Sequence, residues 1–132
     1  MSKPHIRVVA ARIVRDGRYL LTQRNPHAVL PLLWEFPGGR VEEGESDQDA
    51  LIRELQEKLG VEAVVAELSM HVTHEYDRYH LDMLVYHATI SEEPHPLGVH
   101  SVRWVEPTDF SNYPFPGADQ QTVDALLGEL PN

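Results

Sequence analysis

The patterning of this chain predicts an α/β fold in which a mixed β-sheet is sandwiched between α-helices (α/β/α). Three observations carry that expectation. Runs rich in valine, isoleucine, leucine and tyrosine recur at strand length between Ile6 and Val105. The segment from Ser46 to Gly60 has helical periodicity and a capping residue at each end. A second amphipathic stretch, roughly Asp119 to Leu130, closes the chain far from the first. Two helices so well separated among strands suit a sheet covered on both faces. The 132 residues and 15.0 kDa suit one domain spanning 1–132, with no repeat or linker to divide it.

Each element has a local reason. Ile6 to Val14 and Tyr19 to Gln23 read as strands joined at Asp16-Gly17, a dipeptide that favours a hairpin. Asn25 to Pro31 is a loop holding two prolines. Trp34-Glu35-Phe36 leads into Pro37-Gly38-Gly39, read as a tight turn with exposed backbone, then a short strand around Arg40-Val41-Glu42. Ser46 and Asp49 form a capping box, and Gly60 stands where a helix stops. At about 100° per residue, Leu51, Ile52, Leu55 and Leu59 share a core-facing stripe. Glu54, Glu57 and Lys58 border that stripe, with Arg53 beside Glu57. Glu62 to His74 and Tyr79 to Ile90 read as strands joined by a turn at Glu75 to Arg78. After a proline-bearing loop, Ser91 to Gly98, come a strand from Val99 to Val105 and a helical turn at Pro107 to Phe110. Pro114 to Asp119 is irregular.

Composition excludes several function classes. Without cysteine there is no disulfide, thiolate metal site or cysteine nucleophile, which suits a reducing cytoplasm. No apolar run of about 18 residues exists to span a membrane, and the segment from Met1 to His5 lacks the apolar centre of a signal peptide. The expectation is a cytoplasmic protein, a monomer or homodimer. A formal charge of −10 repels long polyanions, so no stable nucleic-acid partner is expected. A small phosphorylated ligand stays open, because a divalent cation and a few arginines reverse the sign locally. The charge also serves solubility alone. No serine nucleophile elbow, P-loop or dinucleotide fingerprint is present.

Carboxylates at i and i+3 on one helix face, as at Glu54 and Glu57, sit roughly 5–6 Å apart at Cβ. Such a pair is either a solvated face or an oxygen-rich site of the kind Mg²⁺ and Mn²⁺ select. Glu42, Glu43 and Glu45 add acids from the preceding loop. The histidines, His71, His74, His80 and His87 among them, show no metal-ligand spacing on one strand face and read as non-catalytic.

Gly39, five residues, Glu45, seven residues, then Arg53-Glu54-Leu55-Gln56-Glu57-Lys58-Leu59-Gly60-Val61 resembles the signature of the Nudix hydrolases. Leu33 to Glu42 resembles the MutT-type branch, nucleoside triphosphate pyrophosphohydrolases that include enzymes acting on oxidised nucleotides. The order of strands extends the likeness over nearly the whole chain. The resemblance implies the Nudix fold, Mg²⁺ (or Mn²⁺) as cofactor, and hydrolysis of a nucleoside triphosphate to monophosphate and pyrophosphate. It implies the Gly38 carbonyl and Glu57 as metal ligands, with Glu54 either general base or a further ligand. Arg53 and Glu45 pair to hold the loop against the helix and orient Glu54. For the nucleotide it implies Arg24, Phe36 and Asp119. Arg24 has surface solvation as its alternative, Phe36 core packing, and Asp119 an N-cap of the last helix. Relatives with Asp at the position of Asp119 favour cytosine-type nucleotides.

Two positions depart from the pattern. The family places a second glutamate where this chain has Lys58, a change of +2 in formal charge that removes two oxygens. Lys58 also stands i+4 from Glu54, the favourable order for an ion pair. A glutamate common before the strand near Val99 is replaced by Leu97-Gly98-Val99-His100. His100 is read as either an aid to the site or a structural residue, and Glu42 or Glu43 as a substitute acid. The departures predict weaker metal binding and slower turnover, or a nucleotide-binding module without catalysis.

Overall fold

Strand pairing in the computed structural model, which describes residues 3–129, builds two four-stranded sheets. Leu130, the expected end of the last helix, lies outside the described residues. The elements are β1 (His5–Arg12), β2 (Val14–Arg15), β3 (Arg18–Gln23), β4 (Trp34–Glu35), β5 (Gly38–Arg40), α1 (Asp47–Leu59), β6 (Ala63–Glu75), β7 (His80–Ile90), β8 (Ser101–Val105) and α2 (Gly117–Glu129). A short 3₁₀ turn, Pro107–Asn112, follows β8. One sheet is mixed, in the order β5-β1-β7-β6, with β1 parallel to β7 and the other pairs antiparallel. In the other, β3 pairs antiparallel with β2, β4 and β8.

The central strands of the mixed sheet, β1 and β7, pack apolar residues on both sides, as the sandwich expectation requires. Alternation along β1 and β7 sends Val9, Ala11, Leu84 and Tyr86 to a core under α1. It sends Ala10, Met83 and Val85 to a second core with the β3 sheet and α2. In α1 the leucines at 51, 55 and 59 are fully buried, whereas Ile52 is 39% exposed. The apolar stripe is therefore narrower than the sequence suggested, and Ile52 falls on its solvent edge. Ser46 caps α1 by accepting from the Asp49 N–H, and Gly60 ends it in the left-handed region at φ 69°.

The Asp16-Gly17 hairpin is present, both residues having positive φ (53° and 77°) between Arg15 and its partner Arg18. The break after Arg12 divides the expected first strand into β1 and β2. Gly38 and Gly39 are not a turn. They form strand β5, paired with Ala10 and Val9, and the predicted strand at Arg40–Glu42 begins two residues early. A Cβ on Gly38 would lie 1.9 Å from the Val9 carbonyl, so close strand approach and not left-handed backbone demands this glycine. No helix among the described residues is long and apolar enough to cross a membrane.

Candidate active site

The register of α1 places Glu54 one position before Leu55, at the rim of the buried stripe. Its carboxylate is almost fully covered, with 8% of the residue exposed. An isolated buried carboxylate is costly, and two cations answer it. Arg53 Nη1 lies 3.0 Å from Glu54 Oε1, and Lys58 Nζ lies 3.3 Å from Oε2. The opposing wall is Gly39, where a Cβ would stand 2.2 Å from the Glu54 carboxyl carbon. The double glycine thus lets strand backbone reach a glutamate.

Arg53 is the hub. It grips Glu45 through Nε and Nη2 at 2.8 and 2.9 Å, donates to the Arg40 carbonyl at 3.0 Å, and reaches Glu57 Oε2 at 3.2 Å. The same Nη1 serves Glu54 and Glu57, so the two acids converge on one cation, Glu54 from a buried position and Glu57 from an exposed one. The Arg53 guanidinium, helped by the Glu42 N–H, holds the Glu45 carboxyl down at about 2. In return Glu45, then Glu54, push the arginine above its ordinary value.

Lys58 donates to the Gly38 carbonyl at 2.7 Å. Its ammonium therefore lies between the Gly38 oxygen and Glu54 Oε2, two of the three groups expected to meet a cation. The loop after β7 packs on it. The Leu97 and Gly98 N–H groups donate to the Lys58 carbonyl at 3.0 Å, and a Cβ on Gly98 would press on the Lys58 side chain at 3.2 Å. No acid enters from that loop, and His100 is exposed. Glu42 and Glu43 are exposed too; the Glu42 carboxylate stays 3.8 Å from Arg53, and only its backbone N–H, which donates to Glu45 Oε1 at 2.9 Å, enters the cluster.

Beside the glycines opens a cavity of about 520 Å³. Arg24, Phe36 and Asp119, the three residues expected to meet a nucleotide, all line it, together with Gly38, Gly39 and Lys58. Arg24 Nη1 pairs with Glu35 at 3.1 Å while its Nε donates to the Val29 carbonyl. Phe36 is 2% exposed and packs edge-on to Phe110 and stacked on Phe115, so core packing accompanies its place on the wall. Asp119 is not an N-cap, because α2 starts two residues earlier at Gly117. Its Oδ1 accepts instead from the Phe36 N–H at 3.2 Å. Burial, followed by the Glu35 charge, pushes its carboxyl well above the usual carboxylate range.

Sequence reasoning missed Arg40, Tyr76, Arg78 and Tyr79, which also line the cavity. Tyr76 and Tyr79 stack at 4.8 Å, and the Tyr76 hydroxyl accepts from the Ala118 N–H at 3.2 Å, tying the β6–β7 turn to α2. Only the alternation that turns Leu81 and Met83 to this face could have hinted that the turn preceding them borders the site.

A family model for the NUDIX domain matches residues 8–125. The chain is 37% identical over 135 residues to the CTP pyrophosphohydrolase of Escherichia coli (strain K12), covering 92% of this chain and 91% of that protein. It is 35% identical over 129 residues to the 8-oxo-dGTP diphosphatase of Haemophilus influenzae, covering 94% and 93% respectively. The crystal structure of the MutT NUDIX hydrolase from Burkholderia pseudomallei superposes with a TM-score of 0.84 at 30% identity, covering 92% of this chain and 98% of that one.

Proposed function

The chain belongs to the Nudix hydrolase family, in its MutT-like branch, and we propose that it hydrolyses a nucleoside triphosphate to the monophosphate and pyrophosphate. One observation carries the reading. Arg53 gathers Glu45, Glu54 and Glu57 into a single cluster against Gly39 and Lys58, which line one cavity with Arg24, Phe36 and Asp119. The likeness to a CTP pyrophosphohydrolase and an 8-oxo-dGTP diphosphatase supports the same reaction class.

The donor chemistry fits a hard dication, since Glu54, Glu57 and the Gly38 carbonyl offer oxygen alone. These three would hold Mg²⁺ or Mn²⁺ once the Lys58 ammonium moves aside. Such an ion supplies charge neutralisation on the phosphates and a more acidic water. The protein's part is positioning. Arg53 fixes the rotamers of Glu45 and Glu54, so the acids need no reorganisation when substrate arrives. Glu54, walled by Gly39, is the carboxylate best shielded to take a proton from an attacking water. Arg24, held by Glu35, meets the nucleotide. Asp119 reads the base: proton-bearing, it donates and accepts at once, and ionised it accepts from an exocyclic amine such as cytosine N4. Cytosine-type nucleotides are the first candidates and oxidised purine nucleotides the second. The expected partner is thus a small nucleotide, met in the cytoplasm by a monomer or homodimer.

A specific contact favours a second reading. Lys58 already satisfies the Gly38 carbonyl and Glu54, so a protein cation sits where metal is needed. A nucleotide-binding module of low or no turnover follows. Pyrophosphate release from CTP, dCTP, 8-oxo-dGTP and the common triphosphates, with Mg²⁺ or Mn²⁺, tests the main reading. No turnover at any metal concentration, with nucleotide still bound in calorimetry, establishes the module instead. Lys58→Glu should raise kcat and lower the metal concentration needed; an unchanged rate would show that the lysine is no obstacle.

A further inference from the structure

The histidines offered no metal spacing along a single strand, yet pairing brings two of them together from different strands. Strands β1 and β7 run parallel with His5 opposite His80 and Arg7 opposite Asp82. With alternate residues on one face, His5, His80 and Asp82 point to the same side of the sheet as Tyr86. Their ligating atoms all lie within 4.8 Å of one another.

The outer atoms of this group are held as metal ligands commonly are. Glu75 contacts His80 Nδ1, which leaves Nε2 facing Asp82 Oδ2 at 3.8 Å. Lys3 Nζ anchors Glu75 at 3.0 Å. His71 Nε2 lies 3.0 Å from Asp82 Oδ1, which leaves Oδ2 for the group's centre. Arg7, opposite Asp82, directs its hydrogen bonds to Asp47 instead, at 2.9 and 2.8 Å.

We propose that His5, His80 and Asp82 form a binding site for a divalent transition metal such as Zn²⁺, distinct from the acidic cluster on α1. Two imidazoles and one carboxylate match the donors that Zn²⁺ takes in sites leaving a position for water, and they discriminate against Mg²⁺. None of the three lines the nucleotide cavity, so the ion braces and does not react. What it braces is specific: Glu75 and His80 flank the β6–β7 turn whose Tyr76 and Tyr79 form a cavity wall. The ion ties that turn to the start of β1.

Isothermal titration with ZnCl₂, in the presence of excess Mg²⁺, tests the site on the full chain. One Zn²⁺ should bind per chain, and Glu57→Gln should leave that isotherm unchanged. His5→Gln, at an exposed position that threatens no packing, should weaken binding by about 10-fold or more, as should His80→Gln. Glu75→Gln should weaken it less, acting only through His80. Zn²⁺ should raise the Tm of the parent but not of His5→Gln. An isotherm unaltered in both histidine variants, or no Zn²⁺ uptake at all, overturns the proposal.

Discussion

The two faces of the mixed sheet bury comparable apolar layers yet assemble their polar residues in opposite ways. On the α1 face the candidate chemistry is local: Arg53, Glu54, Glu57 and Lys58 lie within two turns of one helix, and Glu45 precedes it by a short loop. On the α2 face the cavity draws Arg24, Phe36, Tyr76 and Asp119 from widely spaced segments. The difference teaches that a reaction centre can be written into one helix, whereas a recognition surface depends on how the layers close. The electrostatics differ as well. Glu45, gripped by Arg53, is held well below the usual carboxylate range, while Asp119 is buried toward its neutral form.

The sharpest break falls on the local side. Glu54→Gln keeps the shape but removes the proposed proton acceptor, and kcat should fall by about 10²–10⁴-fold with little change in KM. An undiminished rate in steady-state assays would move the role to another acid. Gly39→Ala comes next. Its Cβ would collide with the Glu54 carboxylate, and a shift of that group by about 1 Å should cost about 10²-fold in rate. Thermal melts will show whether the fold survives this change.

Asp119→Asn attacks the other face with a smaller effect. It should change the preference between cytosine and oxidised purine nucleotides by about 10-fold, roughly 1.4 kcal/mol of base discrimination. It also carries a pH signature. Folded Asp119 keeps its proton to higher pH than the unfolded chain does, so stability declines as pH rises from the ordinary carboxylate range through the raised folded value. Urea midpoints across that range should decline less steeply in the variant. Glu45 has the opposite sign and the smallest effect. Held at about 2 when folded, against 4.5 otherwise, it stabilises fully above the unfolded value and loses that contribution as pH falls toward 2. Glu45→Gln should flatten the acid limb of the same titration, and an unchanged limb would mean that the Arg53 pair is not maintained in solution.

Much of the α1 face was readable before any coordinates. The Ser46 cap, the Gly60 stop and the buried leucines follow from local spacing, while the pairing of Arg53 with Glu45 beside Glu54 was implied by the resemblance to the Nudix signature. Where reading failed, longer range was responsible. Gly38-Gly39 resembled a turn because glycine pairs usually are one, but strand pairing with Val9 and Ala10 overrode the local preference. Asp119 looked like a cap because a carboxylate near a helix start usually is; its partner, the Phe36 N–H, is 83 residues away.

From its own residues the sequence determined the helix that carries the acids, its caps, the hairpin at Asp16-Gly17 and the intrusion of Lys58, since each depends on backbone preference or side-chain period within a few residues. The tertiary structure alone decided that Lys58 reaches the Gly38 carbonyl, that Arg24 and Asp119 share a cavity, and that His5 meets His80. Those are contacts between elements distant in sequence, and their placement is set by strand register and by how two apolar layers pack, a condition no short window of sequence contains.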